Sequence, residues 1–225
     1  PGPIKPVRRT NRWTAERTAV IREYAGKLEA AGFIEPAQSE WCNSVVMVPK
    51  KGGGLRVCLD FRALNKVTRK IAYELPRADD ELAALGKANY FSSMDLCQSY
   101  FQLPLAEEDR DMTAFNTPDG QWRFKVLAMG LSNAAQQYTM FMREMVGTLA
   151  WNCCLVYLDD IVVHSATLED HKRDVGMLLD RIIEWGAHLK PEKCFFARTT
   201  ISFLGHIVTP QGIATDPIKI KAIQK

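Results

Sequence analysis

The sequence lacks the features that define several protein classes. None of its apolar runs approaches the ~20 residues that a membrane-spanning helix requires. Residues 1–12 are basic and rich in proline, without the apolar segment of a signal peptide. The six cysteines form no Cys-x-x-Cys pair, so neither a zinc site nor a disulfide framework is predicted. We therefore expect free thiols, a reducing compartment and no membrane partner.

Positive charge is scarce beyond the first third of the chain. The net charge is only +3 over 225 residues. Residues 1–77 hold 15 Lys and Arg against 7 Asp and Glu, whereas residues 78–225 hold 14 against 19. This division is typical of a protein that binds a polyanion with one part and a metal ion with another. A chance bias of the surface is the alternative.

Hydrophobic periodicity and turn residues predict mixed helices and strands. Thr14 is the expected N-cap of a first helix that ends near Gly32. Further helices are predicted over residues 76–86, after Gly130 and from Thr167 to Gly186. Strands are predicted over residues 44–48, 55–61, 88–96, 113–116, 121–126 and 201–208. A last helix starts at residue 216 and is cut off at residue 225, so we expect the chain to be truncated there.

Two adjacent carboxylates, Asp159 and Asp160, interrupt an apolar, β-branched stretch over residues 153–165. The pattern predicts two strands joined by a tight Asp-Asp turn. Adjacent acids in apolar surroundings are unfavourable because like charges repel and burial disfavours ionisation, so a divalent cation would stabilise them. The alternative is an ordinary hairpin that uses Asp for its turn geometry.

A third acid, Asp95, ends the strand predicted over residues 88–96. Three carboxylates on adjacent strands are able to hold two Mg²⁺ ions about 4 Å apart for in-line attack on phosphorus. The sequence therefore predicts phosphoryl or nucleotidyl transfer at this site.

A glycine-rich hairpin tip carries two lysines, Lys50 and Lys51, and Arg56 follows in the next strand. Glycine lets backbone amides approach a ligand closely, so this tip would suit a triphosphate. It is not a P-loop, because no Gly-Lys-Ser/Thr follows. An ordinary solvated hairpin tip is the alternative.

These motifs resemble those of reverse transcriptases from gypsy-type long-terminal-repeat retrotransposons. Residues 157–160, Tyr-Leu-Asp-Asp, resemble the family's Tyr-x-Asp-Asp motif. The other matching segments are residues 59–65, 91–96, 113–115, 129–134 and 203–206. They occur in the family's order and span about residues 30 to 222.

The resemblance implies an α+β fold and an RNA- and DNA-templated DNA polymerase. Its palm would be an antiparallel sheet backed by helices, with a β-hairpin fingers subdomain and a thumb that is missing or only begun. Residues 1–30 would form an N-terminal arm and helix, 31–90 the fingers with palm elements, 91–210 the palm, and 211–225 the start of a truncated downstream segment.

The resemblance also implies roles for individual residues. Asp95, Asp159 and Asp160 would be catalytic and would bind two Mg²⁺ ions, with Mn²⁺ as the alternative metal. The incoming dNTP would contact Lys50, Lys51, Arg56, Gln98, Ser99, Tyr100 and Met129. The primer would contact Tyr157, Phe203, Leu204 and Gly205. Tyr100 would lie under the sugar and exclude a 2′-hydroxyl, unless it is only a core aromatic residue.

The implied partners are an RNA template, a DNA primer–template duplex, dNTPs and the rest of a Pol polyprotein, namely thumb, ribonuclease H, integrase and protease. The implied location is a cytoplasmic virus-like particle or the nucleus. The chain departs from the family at Gln98-Ser99, where Ser-Gly is common, at Met129, where an aromatic residue or glutamine is common, and at Ala135, where proline is common. Two other hypotheses are a non-catalytic nucleic-acid-binding palm and a two-metal nuclease or phosphohydrolase.

Overall fold

The computed structural model of the chain describes residues 12–50, 52–74, 76–86 and 88–215. Residues 1–11 of the basic arm, Lys51 and the helix predicted from residue 216 lie outside these ranges. The chain divides into two compact units: the first unit lies within residues 1–72 and 100–134, and the second unit within residues 73–99 and 135–225. The predicted domain boundaries at residues 30, 90 and 210 stay predictions.

The described chain contains α-helices and short strands that pair antiparallel. The helices are α1 (Ala15–Ala30), α2 (Arg62–Val67), α3 (Ala78–Ala84), α4 (Glu107–Arg110), α5 (Ala134–Val146) and α6 (Leu168–Glu184). The strands are β1 (Ile34–Pro36), β2 (Ser44–Pro49), β3 (Leu55–Asp60), β4 (Tyr90–Asp95), β5 (Phe115–Thr117), β6 (Gly120–Phe124), β7 (Cys154–Tyr157), β8 (Asp160–Ser165), β9 (Phe195–Arg198), β10 (Ile201–Phe203), β11 (His206–Thr209) and β12 (Gly212–Thr215). Within the described ranges, no helix combines the length and apolarity that a membrane span needs.

The first unit contains α1, a sheet of order β1-β6-β5 and the two-stranded β2–β3 hairpin. Helix α1 begins as predicted, because the Thr14 hydroxyl accepts a hydrogen bond from a backbone N–H of the first turn. Gly32 follows the helix with a φ of +74°, a conformation that favours glycine. The apolar face of α1 packs on an aromatic core that includes Phe61, Phe115 and Phe124.

The second unit is built on an antiparallel sheet of order β7-β8-β4-β9. Phe91 of β4, Leu155 of β7 and Val162 of β8 belong to one buried cluster, which residues from β10 and β11 complete. Strands β10, β11 and β12 form a separate sheet. Strands β9 and β12 were not predicted, because every residue in them is exposed and burial therefore imposes no alternation on their sequences.

Helix α6 is joined to both central strands of this sheet by a buried polar network. His171 is 1% exposed. One of its ring nitrogens lies 2.7 Å from the Ser92 hydroxyl on β4, and the other lies 3.1 Å from the Ser165 hydroxyl on β8. Ser165 also donates to the Asp174 carboxylate at 2.8 Å. These bonds satisfy polar groups that would otherwise be costly to bury, and they hold α6 against the strands that carry the predicted acids.

The prediction of an Asp-Asp turn is wrong by one residue. Tyr157 pairs with Asp160, so the hairpin loop consists of Leu158 and Asp159, and Asp160 is the first residue of β8. Leu158 has a φ of +52°, which a two-residue hairpin loop can require of its first residue. The turn propensity of Asp suggested a different register, but strand pairing decides which residues lie in the loop.

The buried acid Glu81 makes the second unit sensitive to pH. Glu81 lies in α3, is 2% exposed, and its Oε2 atom has no hydrogen-bond partner. Loss of hydration raises the pKa of Glu81 to about 7, and the nearby Asp80 contributes to the rise while Arg143 opposes it. The folded chain therefore keeps a proton that the unfolded chain releases above its ordinary pKa of 4.5.

We expect stability to fall as pH rises from about 4.5 to about 7, because the unfolded state is the one that gains charge in this window. Glu81→Gln should remove most of that loss, which is about 3 kcal/mol for a pKa raised from 4.5 to about 7. Urea unfolding at pH 5 and pH 8 measures the difference. Asp79→Asn, a change at an exposed acid of the same helix, is the matched control. Equal pH dependence in Glu81→Gln and the unmodified chain would contradict this account.

Candidate active site

The central strands of the second unit place two of the predicted acids directly opposite each other. Asp95 ends β4 and pairs with Asp160, which begins β8. Residues opposite each other in an antiparallel pair project from the same face of the sheet, with Cβ atoms about 5 Å apart. Two carboxylates in such a pair repel each other. The register therefore creates a concentrated negative charge at one end of the sheet.

The third acid, Asp159, lies in the turn beside this pair. Its Oδ1 atom is buried and has no hydrogen-bond partner. Partial burial raises the pKa of Asp159, and the charge of Asp95 raises it further, whereas a hydrogen bond from Ser99 and the charge of Lys193 lower it. The pKa of Asp160 is raised by desolvation and then by the charges of Asp159 and Asp95. The fold thus places three acids near one another, although desolvation and mutual repulsion disfavour their ionised forms.

A lysine that sequence reasoning did not identify compensates part of this charge. The Nζ atom of Lys193 lies 2.8 Å from Asp95 Oδ2, and the two side chains are 55% and 24% exposed. Asp95, Asp160 and Asp159 all raise the pKa of Lys193. The two partners are 98 residues apart in sequence and no motif joins them, so no sequence signal could have predicted the pair.

The segment that carries Lys193 is tied to the end of β4 by its backbone. The Lys190 N–H donates to the Asp95 carbonyl at 2.8 Å, and the Cys97 N–H donates to the His188 carbonyl at 2.7 Å. Lys193 then ends a single 3₁₀ turn, Pro191–Lys193. These bonds fix the start of the Lys193 side chain close to the acids.

The donor chemistry of the three acids fits a hard divalent cation such as Mg²⁺, which prefers carboxylate oxygens. The unpartnered Oδ1 of Asp159 and the cation already placed on Asp95 both indicate that positive charge belongs here. Over the part of the chain that the structure describes, however, no three Asp, Glu, His or Cys side chains are gathered closely enough to hold an ion as they stand. Metal binding would require the side chains to rearrange.

A cavity of about 210 Å³ lies next to the acids within the second unit. Its lining includes Asp95, Asp160, Lys193, Phe195 and Phe203. Phe203, a predicted primer contact, is therefore beside the acids, although it is 2% exposed and belongs mainly to the core.

The other predicted primer contacts lie close to the same core. Phe203 pairs with His206, so Leu204 and Gly205 form the loop between β10 and β11. Their φ angles are +50° and +77°. Tyr157 and Leu204 are partly buried and pack against the core cluster that contains Phe203.

Two predicted nucleotide contacts form a strained link after β4. Gln98 has a φ of +54° and Ser99 a φ of +20°, in the region that favours glycine. Ser99 is buried and hydrogen-bonds Asp159. The backbone thus adopts a conformation that suits the family's common Ser-Gly, while the Ser99 side chain acquires a contact that glycine could not make.

Among the described residues, four more predicted nucleotide contacts lie in the first unit. Lys50 and Arg56 are exposed at the β2–β3 hairpin, whose tip is closed by hydrogen bonds from Lys50 N–H to the Gly54 carbonyl and from Gly53 N–H to the Lys50 carbonyl. Tyr100 is half-buried in the 3₁₀ turn Ser99–Gln102.

Met129 is 58% exposed in a loop of the first unit. The Asn65 side chain holds this loop, because it donates to the Gly130 carbonyl and accepts from the Ser132 N–H, each at 2.8 Å. Asn65 belongs to one of the matching motifs, but its anchoring role was not predicted.

Comparison with known proteins agrees with this architecture. The family model described as "Reverse transcriptase (RNA-dependent DNA polymerase)" matches residues 48–208. The chain is 36% identical over 197 residues to the retrovirus-related Pol polyprotein from transposon 297 of Drosophila melanogaster, covering 85% of this chain and 19% of the relative. It is 34% identical over 200 residues to the Pol polyprotein from transposon gypsy of the same organism, covering 86% and 19%. The chain thus spans about a fifth of the length of these relatives.

Solved structures share the fold. The foamy viral protease-reverse transcriptase dRH in complex with double-stranded DNA superposes with a TM-score of 0.87 at 23% identity, covering 99% of this chain and 39% of that one. The foamy viral protease-reverse transcriptase in complex with an RNA/DNA hybrid gives a TM-score of 0.86 at 23% identity, covering 98% and 30%. The predicted α+β fold of palm and fingers is confirmed.

The hydrogen bond between Ser99 and Asp159 makes a testable prediction about the acid cluster. The bond favours the ionised form of Asp159. Ser99→Ala removes it, so we expect the pKa of Asp159 to rise further above its ordinary value of 3.8. Carboxyl ¹³C NMR titration measures this pKa, with Ser93→Ala on β4 as the control. An unchanged or lower pKa in Ser99→Ala would show that the bond does not favour the charged form.

Proposed function

Because the chain belongs to the reverse transcriptase family, we propose that it catalyses RNA- and DNA-templated DNA synthesis, transferring nucleotides from dNTPs to a primer 3′-hydroxyl. The observation that carries the proposal is the pairing of Asp95 with Asp160 on the central strands, with Asp159 in the adjoining turn. Strand pairing positions two of these residues and a tight turn positions the third, so the backbone brings all three acids to one end of the sheet before any substrate arrives.

In this proposal Asp95, Asp159 and Asp160 hold Mg²⁺, with Mn²⁺ as the alternative. When bound, the metal would lower the pKa of the attacking hydroxyl and stabilise the charge of the leaving pyrophosphate. Ser99 keeps Asp159 closer to its ionised form by hydrogen bonding to it. The β4–β8 register prevents Asp95 and Asp160 from drifting apart, because a slip of one residue would turn one of them to the other face of the sheet.

The family resemblance assigns substrate-binding roles to further residues. Lys50, Lys51 and Arg56 would bind the triphosphate, since cationic side chains at a glycine-rich tip favour phosphate oxygens. Gln98, Ser99, Tyr100 and Met129 would contact the incoming dNTP, with Tyr100 under its sugar. Tyr157, Phe203, Leu204 and Gly205 would contact the primer.

The proposed partners are an RNA template, a DNA primer–template duplex and the rest of a Pol polyprotein. The curated relatives described above are Pol polyproteins, which supports synthesis of this chain as part of a longer protein with thumb, ribonuclease H, integrase and protease. An intracellular location, in a virus-like particle or the nucleus, and the lack of a membrane partner stay predictions.

A non-catalytic palm that only binds nucleic acid is the rival. One observation favours it: among the described residues, no three acidic, histidine or cysteine side chains lie close enough together to hold a metal ion. Retention of all three acids argues against it, because without a metal ion they would repel one another and a nucleic acid. Metal-dependent primer extension distinguishes the two hypotheses.

Asp159→Asn should reduce Mg²⁺-dependent incorporation of one nucleotide into a labelled primer on an RNA template by at least ~10³-fold, because a transition-state charge contact is lost. Template binding and circular dichroism should change little. Asp180→Asn, at an exposed acid of α6, is the matched control and should retain activity. Comparable incorporation by Asp159→Asn and the unmodified chain would overturn the proposed mechanism.

Tyr100→Ala should raise incorporation of ribonucleotides relative to deoxyribonucleotides about tenfold or more. The ring is proposed to leave a 2′-hydroxyl buried and unpaired, at a cost of ~1–3 kcal/mol, and each 1.4 kcal/mol is about tenfold in rate. Tyr100→Phe keeps the ring and should keep the selectivity. The measurement is single-nucleotide incorporation with each sugar on one template. If Tyr100→Ala slows both sugars equally, Tyr100 is a packing residue instead.

A further inference from the structure

Lys193 forms an ion pair with the carboxylate of Asp95, which the proposed function assigns to a metal ion. Its Nζ atom lies 2.8 Å from Asp95 Oδ2. We propose that Lys193 is a displaceable counter-ion, which neutralises Asp95 in the metal-free protein and must leave before Asp95, Asp159 and Asp160 can hold a divalent cation together. This inference rests on the proposed function, and it adds a residue that sets how tightly the metal binds.

The need for a counter-ion follows from the register of β4 and β8. Asp95 and Asp160 are opposite each other, and Asp159 adjoins them in the turn. With no cation present, their mutual repulsion would destabilise the end of the sheet. One lysine charge on Asp95 reduces this repulsion, while the Oδ1 atom of Asp159 stays without a partner. The compensation is therefore partial.

The ion pair is placed so that it can break easily. The side chain of Lys193 is 55% exposed and that of Asp95 is 24% exposed. Ion pairs that reach solvent contribute little to stability, since water and salt replace the lost contact. A lysine side chain is also long and flexible, so its ammonium group can leave by rotation about side-chain bonds.

The backbone beneath Lys193 would stay in place during this exchange. The Lys190 N–H and the Asp95 carbonyl are joined at 2.8 Å, and the Leu96–Leu189 bridge extends this contact by one residue on each side. Neither interaction involves the Lys193 side chain. The ammonium group would therefore move away from Asp95 while the backbone of the segment stays fixed, and it could return when the metal leaves.

The three acids do not form a metal site as they stand, which is expected if Lys193 takes the place of the metal ion at Asp95. No three metal-binding side chains are gathered in the part of the chain that the structure covers, and Lys193 competes for one oxygen of the Asp95 carboxylate. Binding a divalent cation would then be an exchange in which one lysine charge leaves as two metal charges enter. Removing the lysine removes the competitor, so the metal should bind more tightly.

The test measures Mn²⁺ binding to the 225-residue chain by electron paramagnetic resonance of the free ion, without nucleic acid or dNTP. Lys193→Met should lower the Mn²⁺ dissociation constant about fivefold, the upper range for an exposed ion pair. Lys193→Arg keeps a cation at the same position and should stay near the unmodified chain. Lys190→Met is the matched control, because Lys190 lies in the same segment but its side chain pairs with Glu192 at 3.7 Å.

Thermal unfolding gives a second readout. In metal-free buffer Lys193→Met should unfold at a lower temperature than Lys190→Met, because it leaves the acids uncompensated. Added Mn²⁺ should raise the unfolding temperature of Lys193→Met more than that of the unmodified chain. If Lys193 had only a structural role, Lys193→Met would lower the unfolding temperature without raising the affinity for Mn²⁺.

Three results would overturn the inference. Equal Mn²⁺ affinity in Lys193→Met and the unmodified chain would show that the lysine does not compete with the metal, and weaker binding would show that it helps to position Asp95. Tighter binding in Lys190→Met as well would indicate a general charge effect. Asp95→Asn separates these outcomes from failure of the proposed function. If the unmodified chain binds no Mn²⁺ that depends on Asp95, the proposed metal site itself is wrong.

Discussion

The antiparallel pairing of β4 with β8 is the constraint on which the candidate site depends. It sets Asp95 opposite Asp160, and the two-residue turn before β8 adds Asp159. The apolar residues of the same strands, such as Phe91 and Val162, are buried in the core. Because side chains alternate along a strand, the packing of the core and the position of the acids cannot change independently.

This arrangement is electrostatically costly, and the surrounding residues reduce the cost in different ways. Ser99 hydrogen-bonds Asp159, and Lys193 pairs with Asp95. Both favour ionised carboxylates against the partial burial that raises the pKa values of Asp159 and Asp160. The two contacts thus reduce the repulsion among the acids without removing it, and the remaining repulsion lowers local stability. Such a balance is common where a protein's function requires perturbed groups.

A buried hydrogen-bond network in the same unit holds the two strands that carry Asp95 and Asp160. Ser92 and Ser165 lie on the two central strands and both contact His171 of α6. The helix is thereby fixed to β4 and β8 at once, which limits sliding of one strand past the other. In contrast, Lys50 and Arg56, which are predicted to contact the nucleotide, are exposed on the β2–β3 hairpin, so core packing does not fix their side chains.

Sequence alone determined the features that depend on neighbouring residues. Glycine positions, the Thr14 cap, the apolar strands and the adjacent acids are local patterns, and the ordered motifs were sufficient to indicate the reverse transcriptase family. Tertiary structure decided the rest. It placed Asp160 in β8 instead of the turn, because pairing with Tyr157 sets the register. It also brought Lys193 to Asp95 across 98 residues, since a contact between distant residues follows from how the whole chain packs and leaves no periodic trace in the sequence.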